Sequence, residues 1–213
     1  MNIVIIGGGQ KFGRLIADKF INAGHNVYIL SHKNYGDNPN HLHANFLDIN
    51  DVRTKFQNLI KNISNIDLLL YNSNADYGPS CESHFTSKAD LLFALNSWQS
   101  SMQISAYNPY LIAVTALDKM NAKSKIVFMT NHLSFAVPRN YCISSVGQPS
   151  GKAAQNHLMF ALSHYNDRKA IVYSIFTHLD YDDIEKLNDK INKIYYNLCL
   201  FDNKMSGTII DIS

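Results

Sequence analysis

Apolar positions in this 213-residue chain fall into short runs that alternate with longer helical stripes. Ile3 to Ile6 is apolar and β-branched, long enough for a buried strand and too short for a helix. A helical pattern opens at Gly13. From Arg14 to Ala23 it places Leu15, Ile16, Phe20 and Ile21 on one face, with Gly24 as a C-terminal stop. Val27 to Leu30 reads as a second strand and His43 to Leu47 as a third. Val52, Phe56, Leu59 and Ile60 mark a second helix, capped by Asn50 or Asp51. Ile66 to Tyr71 is a fourth strand, followed by a polar loop over 76–87.

The rest of the chain keeps the alternation. Leu91, Leu92, Leu95 and Trp98 share a helical face. A further helical stretch from Met102 to Met120 carries Ile104, Leu111, Ile112, Val114 and Leu117. Lys125 to Thr130 is a fifth strand, and a loop over 138–147 leads to a helix beginning near Gly147 with Pro149 at its first position. Ala170 to Phe176 is a sixth strand. Ile184, Leu187, Ile191, Ile194, Tyr195 and Leu198 form one face of a last helix, before a closing strand within 207–212. Strands alternating with helices predict one α/β domain over 1–213. Its expected form is a doubly wound, Rossmann-like parallel sheet of about seven strands in a three-layer α/β/α arrangement.

Composition narrows the function classes. The hydrophobic fraction of 46% is ample for such a core. Nineteen basic residues against seventeen acidic ones leave a net charge of +2 with no block of like charge, which argues against a nucleic-acid partner. Cys81, Cys142 and Cys199 are odd in number and far apart, so they suit neither a disulfide framework nor a zinc site. With a first strand starting at once, which leaves no room for a signal peptide, this predicts a reducing, cytoplasmic setting. No apolar run approaches the ~20 residues of a membrane helix.

Candidate chemistry begins at the first turn. Strand, glycines Gly7, Gly8 and Gly9, then a helix start is the context of a dinucleotide-binding turn. Glycine lets the backbone approach a diphosphate, and the following helix offers unpaired N–H groups to the anion. Gly7, Gly9, Gln10, Lys11, Phe12 and Gly13 are therefore candidate coenzyme residues. After the second strand, NAD-specific sites place a carboxylate for the ribose 2′-OH. This chain has Ser31, His32 and Lys33 instead, which favours NADP(H) over NAD(H).

The six-residue span from Gly7 to Gly13 resembles the TGxxxGxG turn of the short-chain dehydrogenase/reductase family, with Ile6 for the Thr and Lys11 for the middle glycine. The resemblance continues along the chain. It makes Asp48 the adenine-side acid, with a plain helix-capping Asp as the alternative reading. Tyr71, Asn72, Ser73 and Asn74 stand at the family's NNAG, Ser105 at the Asn that holds a catalytic water, Asn108-Pro109 at a Gly-Pro, and Thr130-Asn131 at the catalytic Ser-Ser, with Ser134 as an alternative. Lys152-Ala153-Ala154 matches the Lys of Tyr-x-x-x-Lys and its frequent continuation, but Gln148 occupies the Tyr position. An amide has no proton to give near neutral pH. Thr177-His178 replaces Pro-Gly, and the lid region 180–203 is short.

The resemblance implies a nicotinamide dinucleotide partner. It also implies a small carbonyl or alcohol substrate and pairing of long helices into a homodimer or homotetramer. Lys152 would orient the nicotinamide ribose, while Gln148 and Asn131 would polarise the substrate oxygen. Tyr141 and His132 stand in the loop beside the site as alternative proton sources, though each reads first as a packing or surface residue. Two alternatives stand beside an oxidoreductase: a coenzyme-binding pseudoenzyme, and a scaffold without coenzyme.

Overall fold

A computed structural model describes residues 1–9, 11–33, 36, 38–73, 88–131, 147–165, 170–177, 183–199 and 206–212. Its strands are β1 (Asn2–Ile6), β2 (Asn26–Ser31), β3 (His41–His43), β4 (Leu68–Tyr71), β5 (Lys125–Thr130), β6 (Ile171–Phe176) and β7 (Ile209–Asp211). Its helices are α1 (Lys11–Asn22), α2 (Ile49–Ile60), α3 (Lys88–Met102), α4 (Asn108–Leu117), α5 (Gly147–Tyr165) and α6 (Ile184–Cys199), with a π-helical turn, Gln103–Tyr107, joining α3 to α4.

The strands form one sheet in the order β3-β2-β1-β4-β5-β6-β7. All six pairings are parallel, for example Ile6 beside Leu30 on one side and Tyr71 on the other. The order reverses between β1 and β4, so the crevice beyond their carboxyl ends is where such a sheet takes a ligand. Alternate strand residues feed two cores. Val4, Ile6, Leu69, Tyr71 and Phe128 pack with α2, α4 and α5, while Ile3, Ile5, Leu70, Val127 and Ile175 pack with α1 and α6. A buried parallel sheet covered on both faces explains why its strands read as continuous apolar runs.

Several boundaries differ from the sequence expectation, each for a local reason. The third strand is His41–His43, not 43–47. Its extension is stopped at Asn45, whose N–H is taken by the Asp51 carboxylate and whose side chain accepts from Leu47 N. Helix α2 starts at Ile49, and its cap is Asp48, which accepts from the N–H groups of Asn50 and Asp51. Neither Asn50 nor Asp51 caps it. Helix α1 starts at Lys11, and its buried face is Phe12, Gly13, Ile16, Ala17 and Phe20; Leu15 and Ile21 lie at the exposed flank. Pro149 sits in the third position of α5. Its missing N–H breaks no bond there, because the first four helical N–H groups have no intrahelical partner. Leu92, Leu95 and Trp98 do share a face of α3, but that face is exposed in the single chain.

Candidate functional site

The turn after β1 is built on close backbone contacts. Gly7 has a φ of 85°, and its N–H donates to Leu30 O. A Cβ at Gly7 would lie 2.8 Å from both N and Oγ of Ser73, and one at Gly13 only 2.1 Å from Gly7 O. A Cβ at Gly9 would meet Lys33 O at 2.5 Å and Ser31 Oγ at 2.6 Å. These three positions thus press the turn against the ends of β2 and β4 and seat the start of α1 on Gly7. Asn72 joins the same contact, its N–H bonded to Ile6 O and its Nδ2 reaching Gly7 O at 3.4 Å.

Lys11 stands where the family pattern has its middle glycine, and it takes the glycine conformation. Its φ is 48°, the one positive value at a non-glycine among the described residues. That left-handed backbone costs a lysine about 1–2 kcal/mol. Its side chain is exposed at the N-terminal end of α1, and Phe12 behind it is buried in the core with Ile16 and Phe20.

At the end of β2, Ser31 is buried and His32 and Lys33 are exposed. The Ser31 hydroxyl donates to Lys33 O, and its oxygen lies 2.9 Å from His41 Nε2. Ser31 therefore shapes the turn and holds its hydrogen away from any phosphate. His32 and Lys33 are the side chains left facing out, with the His32 ring edge-on to Phe46. His41, on the neighbouring strand β3, lies two residues before the third strand that the apolar pattern predicts. Burial and the nearby His43 lower its pKa, so it is neutral at pH 7. Asp48 lies beyond β3 as the α2 cap. Ser73 is buried against Gly7, while Gln10 and Asn74 lie outside the described residues, as do Ser134, His132, Tyr141 and His178.

The second half of the site lies where β5, β6, α5 and the π-helical turn meet. Gly147 and Gly151 let α5 approach α3 closely. A Cβ at Gly147 would lie 2.7 Å from Trp98 Cα, and one at Gly151 would lie 2.8 Å from Ser101 O and 2.9 Å from Ser105 Cβ. Gln148 is buried in the first turn of α5, and Asn131 is half-buried just past β5. Tyr71 is fully buried and donates its hydroxyl to Ile104 O, a carbonyl of the π-helical turn. Burial raises its pKa well above the ordinary value, so it stays protonated and a donor. Asn108 ties the turn to the opposite edge, its Nδ2 donating to Phe46 O at 2.7 Å and its Oδ1 accepting from Gln103 Nε2. Insertions of this π type are frequent at functional sites.

Lys152 is 1% exposed. Its Nζ donates to Met129 O at 2.9 Å and to Gln155 Oε1 at 3.0 Å. Desolvation alone lowers its pKa to about 7. Around it the hydroxyls of Ser105, Thr130 and Thr177 and the Gln155 Nε2 are buried without a hydrogen-bond partner among the described residues. Unpaired polar groups cost about 1–3 kcal/mol each, and native cores rarely collect them in one place. Such a gathering at strand ends is the kind of surface that a polar ligand satisfies. Sequence reasoning reached Lys152, Gln148, Asn131 and Ser105 but not Gln155, whose only signal was its i+3 spacing from Lys152.

No protein-family model and no curated protein matches the chain. Solved structures do match. An oxidoreductase of the short-chain dehydrogenase/reductase family from Brucella ovis is 19% identical. It aligns over 100% of this chain and 99% of its own with a TM-score of 0.76, and has been solved in complex with partially ordered NAD. A double mutant of a Serratia marcescens short-chain dehydrogenase/reductase is 14% identical over 99% of this chain and 94% of its own, with a TM-score of 0.76. Aldohexose dehydrogenase of Thermoplasma acidophilum, ligand-free, is 14% identical over 99% and 91%, with a TM-score of 0.73. This chain therefore has the short-chain dehydrogenase/reductase fold over its whole length. Its described residues include no helix able to cross a membrane and no metal-holding cluster.

Proposed function

We propose that this chain binds a nicotinamide dinucleotide across the ends of β1 and β4, NADP(H) in preference to NAD(H). We further propose that it acts as an oxidoreductase on a small carbonyl or alcohol. The observation that carries the reading is the first turn. Gly7, Gly9 and Gly13 hold a bend that no side chain could enter, and Lys11 keeps a strained backbone where it heads α1. Strain and close approach of this kind cluster where a ligand is clamped. The diphosphate would meet the turn and the N-terminus of α1, with Lys11 as a local cation. His32 and Lys33 would face a 2′-phosphate; Asp48, Asn72, Ser73 and Asn74 would line the adenosine side. The NAD held by the Brucella ovis protein supports the coenzyme class.

The coenzyme supplies the hydride chemistry, and the protein supplies orientation and polarity. Lys152 would hold the nicotinamide ribose, and Gln148 and Asn131 would donate hydrogen bonds to the substrate oxygen. A buried lysine with no carboxylate beside it among the described residues destabilises the apoprotein. Such a feature is more common in a site than in a scaffold. A second reading, a coenzyme-binding pseudoenzyme, is favoured by one observation: Gln148 carries an amide where an acid is needed. Following NADPH absorbance with a panel of aldehydes and ketones separates the two. Consumption supports the reductase. Binding without consumption by any member supports the pseudoenzyme, and absence of binding contradicts both.

The exposed apolar face of Leu92, Leu95 and Trp98 on α3, with Tyr110 and Val114 on α4, supports self-association through these helices. Sedimentation checks this. The native chain is expected to run as a dimer or tetramer and Trp98→Glu as a smaller species.

A further inference from the structure

Lys152 is held in an unusual way for a buried cation. It is fully enclosed, yet both groups that accept from its Nζ are neutral: the Met129 carbonyl and the Gln155 amide oxygen. Buried ammonium groups are ordinarily paired with a carboxylate, because an unpaired charge is costly in a low-dielectric interior. Among the described residues, the elements packed on α5 offer none in reach. Lys125 lies at the opposite end of β5, where it donates to Leu198 O. Tyr173 of β6 points into the other core, with α6, and Tyr107 of the π-helical turn is exposed. Ser105 and Ser101 face α5 from the turn and α3. On α5 itself His157 is exposed, and His164 bonds Phe160 O further down the helix. Met129 O accepts only. Of the two groups that accept from Lys152 Nζ, Gln155 is the one able to change its role.

Gln155 is 0% exposed, and its Nε2 has no hydrogen-bond partner among the described residues. One end of its amide is therefore engaged and the other is idle. A half-turn about the last side-chain bond exchanges them. With the oxygen toward Nζ the amide accepts from an ammonium. With the nitrogen toward Nζ it donates to the lone pair of a neutral amine. A glutamate at this position would serve only the ammonium, and an apolar side chain neither form.

We propose that Gln155 is a positioning residue for Lys152, an ambivalent partner that supports both the ammonium and the neutral amine, so that Lys152 exchanges a proton inside the site instead of holding a fixed charge. The low proton affinity that burial imposes on Lys152 agrees with this. An exchangeable proton then lies one helical turn from Gln148, the position that has no acid of its own. The assignment rests on Lys152 belonging to the proposed coenzyme site, but its test does not need the coenzyme.

Lysine-selective isotope labelling of the full chain lets the side-chain resonance of Lys152 be followed by NMR against pH, with Lys152→Met identifying the signal. In the native apoprotein the midpoint is expected near neutrality. Gln155→Glu is expected to raise it by about 2 pH units, the effect of an adjacent opposite charge. Gln155→Met, of similar shape, removes support from both forms and is expected to lower it by about one pH unit, because the hydrogen bond lost by the ammonium is charge-assisted and stronger than the one lost by the neutral amine. If one variant does not fold, the other still decides. A native midpoint in the range of a solvated lysine overturns the proposal. So does a folded variant of either kind that is less stable but leaves the Lys152 midpoint where it was. Failure of NADPH to bind the native chain would overturn the coenzyme reading and leave this titration unaffected.

Discussion

The two ends of the crevice are built to different rules. At the β1–α1 turn the geometry depends on what is missing. Three glycines sit where a Cβ would fall 2.1 to 2.8 Å from neighbouring atoms, and the one lysine in the series accepts a left-handed backbone to keep the shape. At the β5–α5 end the backbone approach is equally close, through Gly147 and Gly151, but buried polar side chains stand beside it: Gln148, Lys152 and Ser105. Close backbone packing shapes both ends; under the proposed function the proton-donating chemistry is altered at the second. A fold can thus keep the surface that receives a ligand while the groups that act on it change, because backbone packing and side-chain chemistry make separate demands.

The sharpest way to press this comparison is Lys152→Met. Folded Lys152 releases its proton near pH 7, whereas an unfolded lysine does so near 10.5. Between these values the unfolded chain binds more protons, so stability rises with pH through that window. Below it the buried charge costs on the order of 4–5 kcal/mol. Lys152→Met is therefore expected to raise the unfolding free energy at pH 6 by up to that amount, with the gain fading above pH 10. Denaturant melts at both pH values check it. Equal stability of the two proteins at pH 6 would show that Lys152 carries no burial penalty.

The glycine end should respond in the opposite direction. Gly13→Val drives a branched side chain into Gly7 O, and overpacking of this kind costs about 3 kcal/mol. The urea midpoint should fall accordingly, and coenzyme affinity should fall with it. A smaller effect distinguishes strain from charge at the same turn. Lys11→Gly removes the left-handed penalty and is expected to stabilise the fold by about 1 kcal/mol. It should also weaken NADPH binding through loss of the cation, read by quenching of Trp98 fluorescence. Stabilisation with unchanged affinity would leave Lys11 with no part in the site.

Much of the fold was legible because parallel strands are apolar throughout and the helices between them carry clear stripes. Lys125–Thr130 came out with its observed bounds, and the buried positions of α2 were all anticipated. The edges were less legible. The third strand has no long apolar run, and its end is set by the Asn45 and Asp51 side chains, an interaction six residues apart that periodicity does not register. Hydrophobic spacing put Leu92, Leu95 and Trp98 on one face of α3, but spacing alone does not say whether such a face is buried or exposed, as this one is. At the site, the glycine spacing located the turn and even which residue replaced a glycine. It could not show that the Ser31 hydroxyl is committed to Lys33 O, or that His41 and Gln155 stand behind the predicted residues. Those contacts join separate strands or depend on which way an amide faces.

The central claim is that the bend built on Gly7, Gly9 and Gly13 receives a phosphorylated nicotinamide dinucleotide. Calorimetric titration of the native chain with NADPH and with NADH, repeated on Lys33→Ala, tests it most directly. The account predicts one NADPH per chain, bound about tenfold more tightly than NADH, a margin of about 1.4 kcal/mol that Lys33→Ala reduces. No heat with either nucleotide, from a chain that melts cooperatively, would contradict it.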